Sequence, residues 1–275
     1  RDLPRPSAFN GEELLTMELP RRRYFVGEWF AEADLGFIYA ARGVGKTLLS
    51  QALANHLSIG EGKLGEWTIK EAANVLYIDG EMPLKTIQER ARGFGGLSPK
   101  IRYIHHQLVF ERTNGDLNLA DLEIQEALVH YIEKEDIEIV FLDNLSTLVQ
   151  GLREDKADDW EVMARFLLRL RRRGVAVVII AHSGKDATNL RGTSKKEDPA
   201  SWVIRLVERD DPKMENGASF LSEFTKDRNA AGQGTEPLHW TFHREGDGRI
   251  RIECRLKDRL GVLVELVTEH GMETN

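Results

Sequence analysis

The sequence predicts an α/β fold: a mostly parallel, twisted sheet with helices on both faces and antiparallel strands added at the C-terminal edge. Three observations carry this expectation. Five β-rich runs, at 36–41, 74–79, 102–108, 138–143 and 175–181, are almost continuously apolar, as strands buried on both faces are. Helical patterns at 46–57, 83–94, 119–134 and 158–173 separate them, and that alternation builds parallel sheets. Four later runs, at 202–207, 218–226, 238–243 and 249–254, lie closer together, alternate more clearly and are joined by glycine turns at 231–234 and 246–248, the pattern of antiparallel additions.

In chain order, residues 1–30 read as an N-terminal docking segment with Pro4, Pro6 and Pro20, a basic triplet Arg21 to Arg23, and the aromatics Tyr24, Phe25, Trp29 and Phe30. Those rings are expected to pack on the core or on a neighbouring subunit. Residues 31–255 form the core domain. Residues 256–275 carry an amphipathic pattern over 256–269, expected as a final helix that opens a truncated module. The chain starts at Arg1 without a Met and carries no signal peptide, from which a longer natural protein is expected.

Composition narrows the classes. At 275 residues with 41% hydrophobic and 30% charged residues, the chain can bury a proper core and is not globally disordered. No run of eighteen apolar residues is present, so a membrane span is not expected. The single Cys254 excludes an intrachain disulfide framework and fits a reducing cytoplasm. His105 and His106 have no partners at ligand spacing and read as plain strand residues. A net charge of −7 argues against an overall basic nucleic-acid coat, while leaving room for contact by a few basic loops.

The most informative segment is AARGVGKT at 40–47, between a strand pattern and a helix pattern. That setting makes it a phosphate-binding loop, whose backbone N–H groups and helix N-terminus converge on phosphate oxygens. Ala41, Arg42, Gly43, Val44, Gly45, Lys46, Thr47 and Leu48 are the expected nucleotide-binding residues. Lys46 supplies a positive charge for the β- and γ-phosphates, and Thr47 a hydroxyl for Mg²⁺. Ala40 stands where the strict pattern has Gly; a short side chain at the strand end suffices there.

In an open parallel sheet the ligand crevice lies beyond the carboxyl ends of the strands. Three polar residues are expected there. Asp143 closes an apolar run, the way an aspartate is presented to Mg²⁺ through its water shell. Glu81 follows the strand 74–79 in DGEMP, where a carboxylate could polarise the attacking water, with Asp79 as its rival. His182 ends the strand 175–181, where it could touch the γ-phosphate or be a simple loop histidine.

The phosphate loop, DGEMP, IVFLDN, AHSGK and FTKDRN, in that order, resemble the RecA-like ATPases, and most of all the hexameric replicative helicases of the RepA and DnaB type. The resemblance covers roughly residues 27–245. It implies ATP and Mg²⁺ as cofactors, Glu81 as catalytic carboxylate, Asp143 as the Walker B residue, His182 as sensor, and a homo-oligomer, a hexameric ring with active sites between subunits. Lys226 and Arg228 sit two apart on an expected strand and share a face. By the resemblance they reach the neighbouring subunit's site, with Arg228 as arginine finger. Loops 144–158 and 183–198 are expected in the central channel; Lys185, Arg191, Lys195 and Lys196 on the second would grip the backbone of single-stranded DNA. The function so implied is a DNA-translocating helicase. A recombination or repair ATPase, or an ATP-switched scaffold without unwinding, are its alternatives.

Overall fold

The computed structural model describes residues 8–151, 157–184, 190, 196–209, 217–230 and 232–257. Its elements in chain order are α1 (Gly11–Thr16), β1 (Tyr24–Val26), β2 (Phe30–Ala31), β3 (Leu35–Ala40), α2 (Lys46–Ile59), β4 (Lys63–Leu64), β5 (Trp67–Thr68), β6 (Val75–Asp79), α3 (Leu84–Gly93), β7 (Ile101–His105), α4 (His106–Thr113), α5 (Leu122–Lys134), β8 (Ile139–Asp143), α6 (Leu145–Leu148), α7 (Ala157–Arg171), β9 (Ala176–His182), β10 (Trp202–Glu208), β11 (Gly217–Asp227), β12 (Leu238–Arg244) and β13 (Ile250–Leu256).

Nine of the strands form one sheet in the order β13-β12-β11-β10-β3-β9-β8-β6-β7. From β10 to β7 neighbouring strands are parallel, and β11, β12 and β13 extend one edge antiparallel. This is the expected architecture. The central strands β3, β6 and β8 are buried at every residue, which is why their sequences read as unbroken apolar runs. Alternate residues of β3 feed two cores: Ile38 and Ala40 face the layer holding α2, while Leu35, Phe37 and Tyr39 face the layer holding α5 and α7.

The α2 side carries the aromatic mass of the N-terminal segment. Phe25, Trp29 and Phe30 are fully buried there, and β1 pairs with β2 as a small hairpin. Trp29 and Phe30 each meet Trp202 edge-on with ring centres 5.1 Å apart. Trp202 lies across β3 at its register partner Gly36, where a Cβ would come within 2.0 Å of the indole. Only glycine leaves room for that ring. Trp202→Ala is expected to cost about 3–5 kcal/mol, because a large cavity would open among residues held by three separate segments; the shift in denaturant midpoint measures it. Two of the three basic residues are tied down within the chain: Arg22 pairs with the buried Asp34 at 2.6 Å, and Arg23 with Glu71 at 2.8 Å and Glu138 at 2.5 Å.

Several expectations are corrected. The run 102–108 is not a single strand: it ends at His105, whose Nδ1 accepts from the Gln107 amide at 3.2 Å and caps α4. Leu256, expected to open a helix, ends β13 and is exposed; the rest of that expected helix, from 258 onward, lies outside the described residues. Two short hairpins, β1–β2 and β4–β5, and the capped helix α1 were not foreseen.

Candidate functional site

The phosphate loop links β3 to α2. Gly43 and Gly45 take φ values of 84° and 123°, which strain any other residue. Gly45 also lies under Phe220, whose ring would stand 2.6 Å from an added Cβ, so β11 closes one side of the loop. Around Gly43 the space is open, as a cradle for an anion needs.

A cleft of ≈ 320 Å³ opens above the loop and brings together Arg42, Gly43, Gly45, Lys46, Thr47, Leu48, Glu81, Asp143 and His182. Glu81, Asp143 and His182 come from the ends of three different strands, β6, β8 and β9, and the others from the loop and the first turn of α2. Lys46 is buried, and its Nζ donates to the carbonyls of Ala40 at 3.1 Å and Ala41 at 2.8 Å. Burial lowers its pKa to about 8, against the opposing pull of Asp143 and Glu81. Asp143 is pushed up to about 6, chiefly by burial, while hydrogen bonds from Tyr77 and Thr47 favour its ionised form. His182 is the register partner of Ala40, which sets it at the mouth of the loop.

Asp79 and Glu81 take different places. Asp79 is fully buried, and its Oδ1 accepts from the backbone N–H groups of Glu81 at 2.9 Å and Met82 at 2.8 Å. It folds the turn that delivers Glu81 to the cleft. Glu81 is exposed, and its Oε2 accepts from Asn144 Nδ2.

Behind Asp143 a buried relay ties three elements together. Tyr77 donates to Asp143 Oδ2 at 2.6 Å, and its oxygen lies 2.7 Å from Ser50 Oγ, which donates to the Thr47 carbonyl at 3.1 Å. A hydroxyl and a carboxylate in mutual contact are the hard oxygen donors Mg²⁺ takes. Thr47 and Asp143 are the residues that would hold the ion, which would neutralise charge on phosphoryl oxygens. Tyr77→Phe keeps the ring stacked on Phe141 and removes only the hydroxyl; the Mg²⁺ concentration for half-maximal nucleotide binding is expected to rise about tenfold, the loss of about one charge-assisted hydrogen bond. A metal titration with a fluorescent nucleotide reads it.

Arg90 was missed from the sequence. It projects from α3 into the same cleft, with a buried Nη1 that has no hydrogen-bond partner among the described residues, and burial lowers its pKa against attraction from Tyr77 and Asp143. Its signal was available: Arg90 stands three residues after the buried Ile87, a cation on the inward face of an amphipathic helix. A guanidinium with a spare donor beside a phosphate cradle suits an anion.

Lys226 and Arg228 sit elsewhere. The Gly217–Ala218 end of β11 lines the cleft, whereas Lys226 is eight residues further along, about 26 Å at strand spacing. Lys226 lies one residue before the end of β11 and Arg228 just past that end, and both reach the Asp198 carbonyl, at 3.2 Å and 2.7 Å. Lys185, Arg191 and Lys195 lie outside the described residues. Lys196 departs from expectation: it is buried at 1% exposure with Nζ 5.3 Å over the Trp160 ring, so in this arrangement it presents no charge to a strand of DNA.

The sheet order and this cleft define a RecA-like P-loop ATPase. Residues 3–188 match the AAA domain family, and the chain belongs to it. Its fold is shared with a KaiC-like protein of the archaeon Pyrococcus horikoshii (TM-score 0.57, 13% identity, covering 81% of this chain and 90% of that one). The flagellar accessory protein FlaH of Methanocaldococcus jannaschii is similar too (TM-score 0.53, 14% identity, 81% and 90% covered). No curated protein matches the sequence. No helix among the described residues is long and apolar enough to cross a membrane.

Proposed function

We propose that this protein is an ATP-hydrolysing motor that forms rings, translocates on single-stranded DNA and unwinds duplex, as a replicative helicase of plasmid, phage or mobile-element type. In this reading Lys46 and Arg90 hold the phosphates, Thr47 and Asp143 hold Mg²⁺, Glu81 orients the attacking water and His182 senses the γ-phosphate. The observation that carries the reading is the separation of Lys226 and Arg228 from their own cleft along β11. Basic groups that cannot serve their own nucleotide suit the one bound next door, and a head-to-tail contact of that kind closes into a ring.

One observation favours a second reading, an ATP-switched oligomer that does not unwind: Lys196, expected on the DNA-gripping loop, is spent on Trp160. ATPase assays with and without single-stranded DNA separate the two. The motor reading expects stimulation that weakens steeply with salt, because phosphate contacts release counterions. Turnover indifferent to DNA sinks it in favour of the switch.

A further inference from the structure

Asp34, the residue before β3, is wholly buried, and its carboxylate gathers three separate stretches of chain. Arg22 donates to its Oδ1 at 2.6 Å, the Ala31 amide to its Oδ2 at 2.8 Å, and Asn229 Nδ2 to the same Oδ2 at 2.7 Å. Asn229 stands directly after Arg228. Its Nδ2 also donates to the Trp29 carbonyl at 2.9 Å, and its Oδ1 accepts from Arg22 Nη1 at 2.9 Å. Arg22 thus spans Asp34 and Asn229 with two arms of one planar fork, a geometry that a lysine does not supply. The amide nitrogen and oxygen of Asn229 both have partners, which fixes the direction of its side chain.

The backbone around Arg228 is held as firmly. Its own amide donates to the Ser201 carbonyl at 2.9 Å, and the Asp227 carboxylate accepts from the amides of Asn229 at 3.0 Å, Ala230 at 3.1 Å and Gly232 at 3.2 Å, closing the turn. The side chain of Arg228, by contrast, is exposed. A long cation standing in solvent on a fixed backbone is already aimed, so less freedom is lost when it engages an anion. Trp29 and Phe30, packed on Trp202, already seat the N-terminal segment on the core. What the polar clamp adds is direction, because hydrogen bonds weaken steeply with angle.

We propose that Asn229 is a positioning residue: gripped by Arg22 and Asp34, it aims Arg228 at the nucleotide of the next subunit and ties that subunit's turnover to the N-terminal segment. A charged group displaced by about 1 Å from a reacting phosphoryl group can lose about a hundredfold in rate, so removing one anchor of this turn should be felt in hydrolysis rather than in binding. That Arg228 serves a neighbour rests on the reading above; that Asn229 and Arg22 act through Arg228 does not.

The experiment measures kcat, KM, fluorescent-ADP affinity and melting temperature for the full chain and for its Asn229→Ala and Arg22→Ala variants, alone and mixed with Glu81→Gln. Asn229→Ala is expected to lower kcat about tenfold with KM and ADP affinity within about twofold of the parent. Mixing it with Glu81→Gln should give about fivefold more turnover than the two proteins give apart, because some interfaces then pair an intact Glu81 with an intact Arg228 turn. A defect in the variant's own cleft would not be relieved that way. Arg22→Ala is expected to move kcat in the same direction by less, and decides the matter if Asn229→Ala does not fold. Added to Arg228→Ala, either substitution should cost less than about twofold more, since the group it positions is gone. A kcat within twofold of the parent in the folded variants overturns the proposal, and so does a full further loss on the Arg228→Ala background. If Arg228→Ala and Glu81→Gln do not complement each other, the shared-site reading fails alone, and the double variants still report whether Asn229 and Arg22 act through Arg228.

Discussion

Lys46→Met is expected to lose nucleotide binding by at least a hundredfold and, at the same time, to melt several degrees higher than the parent. The two effects have one cause. Lys46 and Asp143 are charged groups held in the core of the cleft, and in each the folded state disfavours the charge: Lys46 is lowered to about 8 and Asp143 raised to about 6. Asp143 binds protons more tightly folded than unfolded, so stability falls as pH rises from about 4 through 6, and its cost is complete above that. Lys46 binds protons more weakly folded, so its cost is complete below about 8 and is relieved as pH rises from there towards its unfolded value. At pH 7 both costs are in force, about 3 kcal/mol each at 1.36 kcal/mol per unit. A methionine of similar length removes the lysine's share, while the cradle loses its cation. Calorimetric unfolding and ligand titration on one preparation test both halves; a lower melting temperature would sink the account of burial. The same two groups set a window for the parent protein. Binding of Mg²⁺-nucleotide should be strongest between about pH 6 and 8, weakening below as Asp143 takes up a proton and above as Lys46 loses one. Titrations from pH 5 to 9 check the two limbs.

Arg228→Ala and Glu81→Gln should each reduce hydrolysis at least a hundredfold as pure proteins, with nucleotide binding spared, and recover activity when mixed. The expectation follows from β11, which has one end at the cleft and the other, with Arg228 beyond it, about 26 Å away at strand spacing. In a mixed ring some interfaces combine an intact Glu81 from one subunit with an intact Arg228 from the next, and those interfaces turn over. If Arg228 served its own chain's nucleotide, every site in the mixture would lack one group. Mixtures as inactive as their components would therefore end the shared-site reading. Arg90→Ala is a control on the same chain: it should weaken nucleotide binding about tenfold in pure and mixed samples alike, since Arg90 lines its own cleft.

The parts legible in the sequence are those set by local rules. The phosphate loop is contiguous, and β3, β6, β8 and β9 are apolar nearly throughout because helices cover both faces. Parallel order and the antiparallel edge followed from the spacing of the runs. What was hidden depends on tertiary partners. The strand at 102–108 looked continuous until His105 turned back to cap a helix. The hairpins of β1–β2 and β4–β5 are too short for any periodicity to register. Lys196 read as a solvated loop cation because nothing local announces Trp160 beneath it. Asp79 and Glu81 were indistinguishable as letters; only the backbone amides gathered on Asp79 set them apart.

β13, the edge strand on the antiparallel side of the sheet, alternates half-buried with exposed residues and carries Arg251, Glu253 and Arg255 along its length, with Arg251 and Glu253 joined at 2.7 Å. Such a border repels the free edge of another sheet. Copies of this chain are thereby discouraged from zippering into fibres through this edge of the sheet.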